Sequence, residues 1–244
     1  MSLKGKTILI TGATSGIGRA IAEGVVAQSG IPILWGRSEE RLSATALDLG
    51  LTLKHTCVVD LTDEESVRQG ISKIHNLDGL VLSAGVLKIL PLKMYKSKYY
   101  DDIFSLNVKA NFFLLGQLLR QKKFNKPASI VSISSVSSKH CFLGSSLYSA
   151  SKAALNALIK NVAIEAGIDN IRANSVLCGI ISNTQMSSQV SPEYVNNLKE
   201  NSLLGPGSVS SVADVVRFLL SDESRWITGS EICVDGGYSI YRGL

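Results

Sequence analysis

The chain is short of the residues that mark the commoner special cases. Its four cysteines, Cys57, Cys141, Cys178 and Cys233, form no Cys-x-x-Cys pair, and three of them sit in apolar runs. That argues against a disulfide framework or thiolate cluster and for reduced thiols. The three histidines, His55, His75 and His140, are too scattered to suggest a metal site. Charged residues make up only 18% of the chain against 45% apolar ones, so disorder is excluded and a large core is available. The net charge is +5 without any long basic run. This reads as a mildly basic solvated surface rather than a nucleic-acid face, though one that welcomes phosphates and other acidic ligands. No stretch has the length and apolarity of a membrane span, and the opening Met-Ser-Leu-Lys-Gly-Lys has no signal-peptide core. Internal repeats and low-complexity linkers are absent. The expectation is a cytoplasmic protein with no metal, nucleic-acid or membrane partner.

What is present is an alternation of short β-rich runs and helical stretches. Strands are predicted at Thr7–Thr11, Ile31–Trp35, Leu51–Val59, from Leu77 toward Gly85, in the run ending at Ser135, at Ile171–Cys178, and within Ile227–Gly237. Helices are predicted from Arg19, over Asp63–Ile74, Ser97–Lys122, Tyr148–Gly167 and Ser210–Leu220. Such alternation implies an α/β fold with a parallel sheet covered on both faces. A chain of 244 residues fits this as a single domain over 1–244. The Ser97–Lys122 helix shows an apolar row at Ile103, Phe104, Val108, Phe112, Leu115 and Leu119, interrupted by Asn107. Asn107 is either an exposed position or a kink that serves a site. Residues 181–207 are polar, broken by Pro192 and Pro206, and read as a lid.

Two stretches carry chemistry. The first strand runs into Gly12-Ala-Thr-Ser-Gly16-Ile-Gly18 and then a helix. Gly12 suits a tight turn, and Gly16 and Gly18 let the backbone approach a pyrophosphate at the positive helix end. The second strand ends at Gly36-Arg37-Ser38. An acid near this point would hold a ribose 2′-hydroxyl, whereas Arg37 suits a 2′-phosphate. Ser38 reads as an N-cap, with Glu39 and Glu40 in the first helical turn. The second stretch is Tyr148-x-x-x-Lys152, preceded by Ser135 at a strand end. On a helix this spacing sets an ammonium beside a phenol, and a nearby cation lowers a phenol's pKa toward the working range. Ser135 offers a second hydrogen bond to a substrate oxygen.

Taken together, Thr11-Gly-x-x-x-Gly16-x-Gly18, Asp60, Ala84-Gly85, Asn107, Ser135, Tyr148-x-x-x-Lys152, Cys178-Gly179 and Ile227-Thr-Gly…Val-Asp-Gly-Gly237 resemble the short-chain dehydrogenase/reductase family over nearly the whole chain. Within it the chain looks most like the 3-oxoacyl-[acyl-carrier-protein] reductase branch. The resemblance implies a Rossmann-type three-layer sandwich with about seven parallel strands, a homotetramer, and a catalytic tetrad of Asn107, Ser135, Tyr148 and Lys152. It implies cofactor contacts from Gly12, Thr14, Ser15, Gly16, Ile17, Gly18, Arg37, Ser38, Asp60, Leu61, Ser83, Ala84, Gly85, Tyr148, Lys152, Gly179 and Ile181, with NADP(H) preferred over NAD(H). In that scheme Tyr148 exchanges the proton, Ser135 holds the oxygen, Lys152 binds the ribose and lowers the Tyr148 pKa, and Asn107 helps hold a water. The implied substrate is a small-molecule or acyl-thioester carbonyl. A dehydrogenase of alcohols, sugars or steroid-like compounds, or a non-catalytic NADP(H)-binding sensor, would use the same fold. Two positions depart from the family pattern: Leu82-Ser83 replaces a pair of asparagines, and Cys178 replaces a proline.

Overall fold

The computed structural model describes residues 2–182, 184 and 201–241. Seven strands form one sheet in the order β3-β2-β1-β4-β5-β6-β7, and every neighbouring pair is parallel. The strands are β1 (Thr7–Thr11), β2 (Ile31–Gly36), β3 (Thr56–Val58), β4 (Leu77–Leu82), β5 (Phe124–Ser135), β6 (Ile171–Cys178) and β7 (Glu231–Val234). The helices are α1 (Gly16–Ala27), α2 (Glu39–Asp48), α3 (Glu64–Ser72), α4 (Ser97–Phe104), α5 (Ala110–Arg120), α6 (Ser146–Gly167) and α7 (Val209–Leu220).

Parallel strands need both faces covered, and two apolar cores do so. On one face Leu9, Leu80, Leu82 and Ile130 pack with Val67 and Ile71 of α3, Leu114 and Leu118 of α5, and Leu155 and Ile159 of α6. On the other, Ile8, Ile10, Val81, Val131 and Val176 pack with Ile21 and Val25 of α1 and with Val212 and Val216 of α7. The strand order reverses direction between β1 and β4. A crevice therefore opens beyond their carboxyl ends, where ligands bind in open α/β sheets.

Two elements differ from the sequence expectation. The third strand begins five residues late, because Leu53–His55 form a 3-10 turn closed by a hydrogen bond from the Thr56 hydroxyl to the Leu53 carbonyl. It is an edge strand, where short length is common. The single Ser97–Lys122 helix is two helices joined by a π-turn over Ser105–Lys109. Its buried residues are Ile103, Asn107, Ala110, Asn111, Leu114, Leu115 and Leu118; Ile103 and Leu115 of the apolar row face inward, while Val108, Phe112 and Leu119 give way to the residue before each. Phe112 is left 53% exposed. Polar Asn107 and Asn111 face inward because backbone groups there need partners. Asn107 accepts from Val86 N–H at 2.9 Å and donates to the Val86 carbonyl at 2.9 Å and to Ser151 Oγ at 3.1 Å. Asn111 donates to the Asn107 carbonyl at 2.9 Å. Asn107 is thus buried within a π-turn, and the reading of an exposed position does not hold.

Most of the 181–207 lid lies outside the described residues. Its two ends meet where Ser182 N–H donates to the Gly207 carbonyl at 2.9 Å and Gly207 N–H donates to the Ile180 carbonyl at 3.0 Å.

Candidate active site

The crevice at the reversal is a cleft of about 660 Å³. One arm is built by the turn after β1. Gly12 has a φ of +65°, and a Cβ on Gly18 would lie 2.3 Å from the Gly12 carbonyl oxygen, so the turn closes only with glycine there. Gly18 therefore serves the closure of the turn as much as the approach of a ligand. The turn leaves the start of α1 open. Ser15 stands at the N-cap without capping any backbone N–H, and no acid lies in the first turn. By contrast α2 and α3 have capping Ser38 and Asp63 with Glu39, Glu40, Glu64 and Glu65 in their first turns. Uncapped N–H groups at a positive helix end, facing a cleft, form an anion site. This chemistry fits the pyrophosphate of a dinucleotide.

Arg37 and Ser38 line the same arm, as does Arg41, one helical turn after Arg37. Asp60 does not line the cleft, although its neighbour Leu61 does. Its carboxylate is occupied by Thr62, accepting from the hydroxyl at 2.7 Å and from N–H at 2.9 Å. The Thr62 hydroxyl holds the Asp60 carboxyl below its usual range, aided by the charge of Arg37. A carboxylate behind Arg37 thus competes for its field, which Gly36 alone did not reveal.

The other arm holds the groups expected to react. Ser135, at the end of β5, and Tyr148 and Lys152, on α6, all line the cleft. The Lys152 ammonium donates to the Ile133 carbonyl at 2.8 Å and lies 5.7 Å from the Tyr148 ring centroid. Burial pushes Lys152 down from 10.5 to about 8. Burial pushes the Tyr148 phenol well above its ordinary value, and the Ser135 hydrogen bond works the other way. The expected lowering of Tyr148 by Lys152 is therefore not what dominates here: the phenol is enclosed in a low-dielectric pocket, and desolvation outweighs its neighbours. Burial also pushes the Cys178 thiol up to about 12, which makes it a neutral wall group.

Ser135 is itself oriented. Its oxygen accepts from the Ser137 hydroxyl at 2.9 Å and from Ser137 N–H at 3.2 Å. With its acceptor sites occupied, its own O–H is left to donate, and the Tyr148 oxygen is within its reach. Asn107 does not touch the cleft. It stands behind Val86, which does, and its Ser151 partner donates to the Tyr148 carbonyl at 2.7 Å. Asn107 thus joins the cleft wall to the turn that carries the phenol. The described remainder of the expected set, Thr14, Ser83, Ala84, Gly85, Gly179 and Ile181 included, lies on the wall.

Sequence reasoning missed Arg41, Ser137, His140, Phe142 and Tyr238, all on the wall. Arg41 was detectable from its four-residue spacing to Arg37. His140, Phe142 and Tyr238 come from loops far apart in the chain and carried no local signal.

A dinucleotide-type crevice that brings a phenol, a hydroxyl and an ammonium together at one end defines a Rossmann-type oxidoreductase. The sequence profile described as enoyl-(acyl carrier protein) reductase matches residues 12–239. A 3-oxoacyl-[acyl-carrier-protein] reductase of Rickettsia bellii (strain RML369-C) is 34% identical over 241 residues, covering 97% of this chain and 98% of the relative. A short-chain type dehydrogenase/reductase structure from Mycobacterium ulcerans superposes with a TM-score of 0.91 at 28% identity, covering 100% of this chain and 93% of that one. A blue fluorescent protein from a metagenomic library, solved in complex with NADPH, superposes with a TM-score of 0.87 at 27% identity, covering 98% and 100%. The chain belongs to the short-chain dehydrogenase/reductase family, within its acyl-carrier-protein reductase branch, and is an oxidoreductase of CH–OH groups. No helix among the described residues is long and apolar enough to cross a membrane.

Proposed function

We propose that the protein reduces the 3-oxo group of an acyl thioester to a hydroxyl with NADP(H). The observation that carries this reading is the convergence of Ser135, Tyr148 and Lys152 in the arm of the cleft opposite the Gly12–Gly18 anion site. Its apolar wall of Leu87, Ile89, Phe142 and Tyr238 suits an acyl chain.

When bound, the nicotinamide supplies the hydride for the carbonyl carbon, or takes it in the reverse direction. Ser135 donates a hydrogen bond to the carbonyl oxygen and polarises it. Tyr148 gives its phenolic proton to that oxygen as the alcohol forms, and its high proton affinity keeps it a neutral acid until then. Lys152, titrating near 8, is suited to return a proton toward the phenolate near neutral pH. Gly12, Thr14, Ser15, Gly16, Ile17 and Gly18 would hold the pyrophosphate. Arg37, Arg41 and Ser38 would hold the 2′-phosphate, where a planar guanidinium pairs well with phosphate oxygens. Asn107 positions Tyr148 through Ser151, and Asp60 positions the turn that presents Leu61.

The same reading includes a cytosolic homotetramer. Phe112 on α5, Ile164 on α6 and Ile168 just after it are exposed, as are Trp226 and Ile240 around β7, and a second copy would cover them. The four free cysteines suit a reducing compartment.

The test mixes the protein with NADPH and a 3-oxoacyl thioester and follows cofactor absorbance. Parent protein should oxidise NADPH. Tyr148→Phe should lose turnover by roughly a thousandfold or more, since general acid catalysis contributes about 10²–10⁴-fold, while still binding NADPH. Tyr148→Phe turnover within tenfold of the parent would refute the proton-transfer role.

A further inference from the structure

The loop that follows Ser135 is pinned at almost every residue. Ser137 gives its hydroxyl and its N–H to the Ser135 oxygen. Lys139 reaches Glu231 of β7 at 2.7 Å, and the same carboxylate takes Lys160 of α6. Cys141 Sγ donates to the Ser137 carbonyl at 3.8 Å. Phe142 N–H donates to Ser145 Oγ at 3.0 Å, and that hydroxyl donates to the Phe142 carbonyl at 2.7 Å. The Gly144 carbonyl accepts from Leu90 N–H at 2.9 Å, where a Cβ on Gly144 would lie 2.9 Å from Ile89 Cγ2. The loop therefore holds in a fixed place whatever side chain it presents to the cleft.

His140 is such a side chain. Its backbone N–H donates to the Val136 carbonyl at 2.9 Å, which sets it one turn beyond the strand end, and it lies on the cleft wall. Ser137, Ser138 and Ser145 around it are all hydrogen-bonded within the chain. Neither ring nitrogen of His140 has a hydrogen-bond partner among the described residues. No carboxylate stands on the described wall either, so the imidazole is not held there by an acid. A neutral imidazole carries one N–H donor. A donor fixed in a largely apolar wall and unmatched by the chain points to a ligand.

We propose that His140 is a specificity-determining residue: its imidazole N–H donates to a second oxygen of the substrate, the thioester carbonyl two carbons from the reacting ketone. This rests on the 3-oxoacyl reading above. Such a substrate brings two oxygens into this arm of the cleft. Ser135 and Tyr148 take the one on the reacting carbon. The other leaves water on entry, which costs binding free energy unless a donor meets it. Lys152 is engaged with the Ile133 carbonyl and Ser137 with Ser135, so neither supplies that donor. Tyr238 also stands on the wall, but on the chain after β7. His140 shares one short pinned loop with Ser135, which keeps the two donors at a set spacing. A site built around a substrate oxygen discriminates against an analogue that lacks it.

The test compares two ketones on one N-acetylcysteamine handle: the 3-oxobutanoyl thioester, and the thioether ketone in which a methylene replaces the thioester carbonyl. His140→Phe keeps a flat ring and removes both nitrogens. Its kcat/KM should fall about tenfold on the thioester, the loss expected for one well-placed hydrogen bond, and by about twofold or less on the thioether ketone. NADPH affinity should not move. The amide nitrogens of His140→Asn and His140→Gln stand close to where the two ring nitrogens do, so one of these variants should recover most of the parent rate on the thioester. A parent that leaves the thioether ketone untouched supports the demand for a second oxygen, and the amide rescue then decides whether His140 meets it. No loss in His140→Phe, an equal loss on both ketones, or a loss that neither amide rescues overturns the assignment. So does a thioester-selective loss in Tyr238→Phe in place of His140→Phe. A parent that reduces neither ketone refutes the 3-oxoacyl reading itself.

Discussion

Lys152→Met separates what the buried ammonium does for catalysis from what it does to the fold. Lys152 is 4% exposed, and burial carries its pKa from 10.5 to about 8. Below about pH 8 the amine is protonated in both folded and unfolded chains, and the folded state carries the whole desolvation penalty. As pH rises from about 8 toward 10.5 the folded protein sheds this proton first, and the penalty disappears. At about 1.4 kcal/mol for each tenfold change in proton affinity, the displacement is worth roughly 3 kcal/mol. Methionine keeps most of the stem and removes the charge. It also leaves the Ile133 carbonyl, which accepts from Lys152 Nζ at 2.8 Å, without that donor, a loss of about 1–3 kcal/mol. The two effects nearly cancel at pH 7, so the melting temperature at one pH decides nothing, whereas the pH slope does. Between pH 7 and 9.5 the cofactor-free parent should gain about 2 kcal/mol relative to Lys152→Met. Urea unfolding followed by circular dichroism at the two pH values measures this directly. Other titrating groups are shared by the two proteins and drop out of the difference. A parent-to-variant difference that stays constant over this range would refute the buried-cation argument, since Lys152 would then be titrating like an exposed amine.

Two further outcomes follow from the geometry. Ser137→Ala removes a donor that makes Ser135 present its own O–H; turnover should fall about fivefold, in line with a hydrogen bond of roughly 1 kcal/mol, with NADPH affinity unchanged. Without Ser135 opposing the burial effect on Tyr148, the pH midpoint for alcohol oxidation should move upward, and an unmoved midpoint would count against this orienting role. Arg37→Ala and Arg41→Ala should each weaken NADPH binding about tenfold or more, since a charged hydrogen bond contributes about 1.5–3 kcal/mol, and leave NADH binding nearly unchanged. Titration of both cofactors checks this, and equal losses for NADH and NADPH would remove the 2′-phosphate assignment.

The glycine turn and the Tyr148–Lys152 pair were legible because each is a local device. Gly12 and Gly18 meet within a few residues of chain, and one helical turn places Lys152 on the face of Tyr148. The alternating runs likewise imposed a parallel sheet, since a short strand followed by a helix can return only to a parallel neighbour. The branch of the family was legible from several such devices in series. The row of buried positions on α4 and α5 was not. Periodicity counts apolar residues, and the inward row includes Asn107, which satisfies the backbone of Val86, and Asn111, which satisfies the Asn107 carbonyl within the π-turn.

Four more features were decided by the folded conformation, two through near neighbours in the chain and two through contacts between distant segments. Asp60 turned to Thr62 rather than to the cleft, because an adjacent hydroxyl and N–H were nearer donors. Ser137 became the orienting partner of Ser135 when the strand end folded over into a short turn. His140, Phe142 and Tyr238 joined one wall only when the loops carrying them packed against the ends of the sheet. The proton affinities of Tyr148 and Lys152 depend on how deeply α6 presses them against β5. Side-chain type and spacing therefore determined which groups could react, since those rest on covalent chemistry and helix geometry. Burial and the shape of the acyl end were decided by tertiary packing, because the local dielectric and a shared wall exist only once remote segments meet.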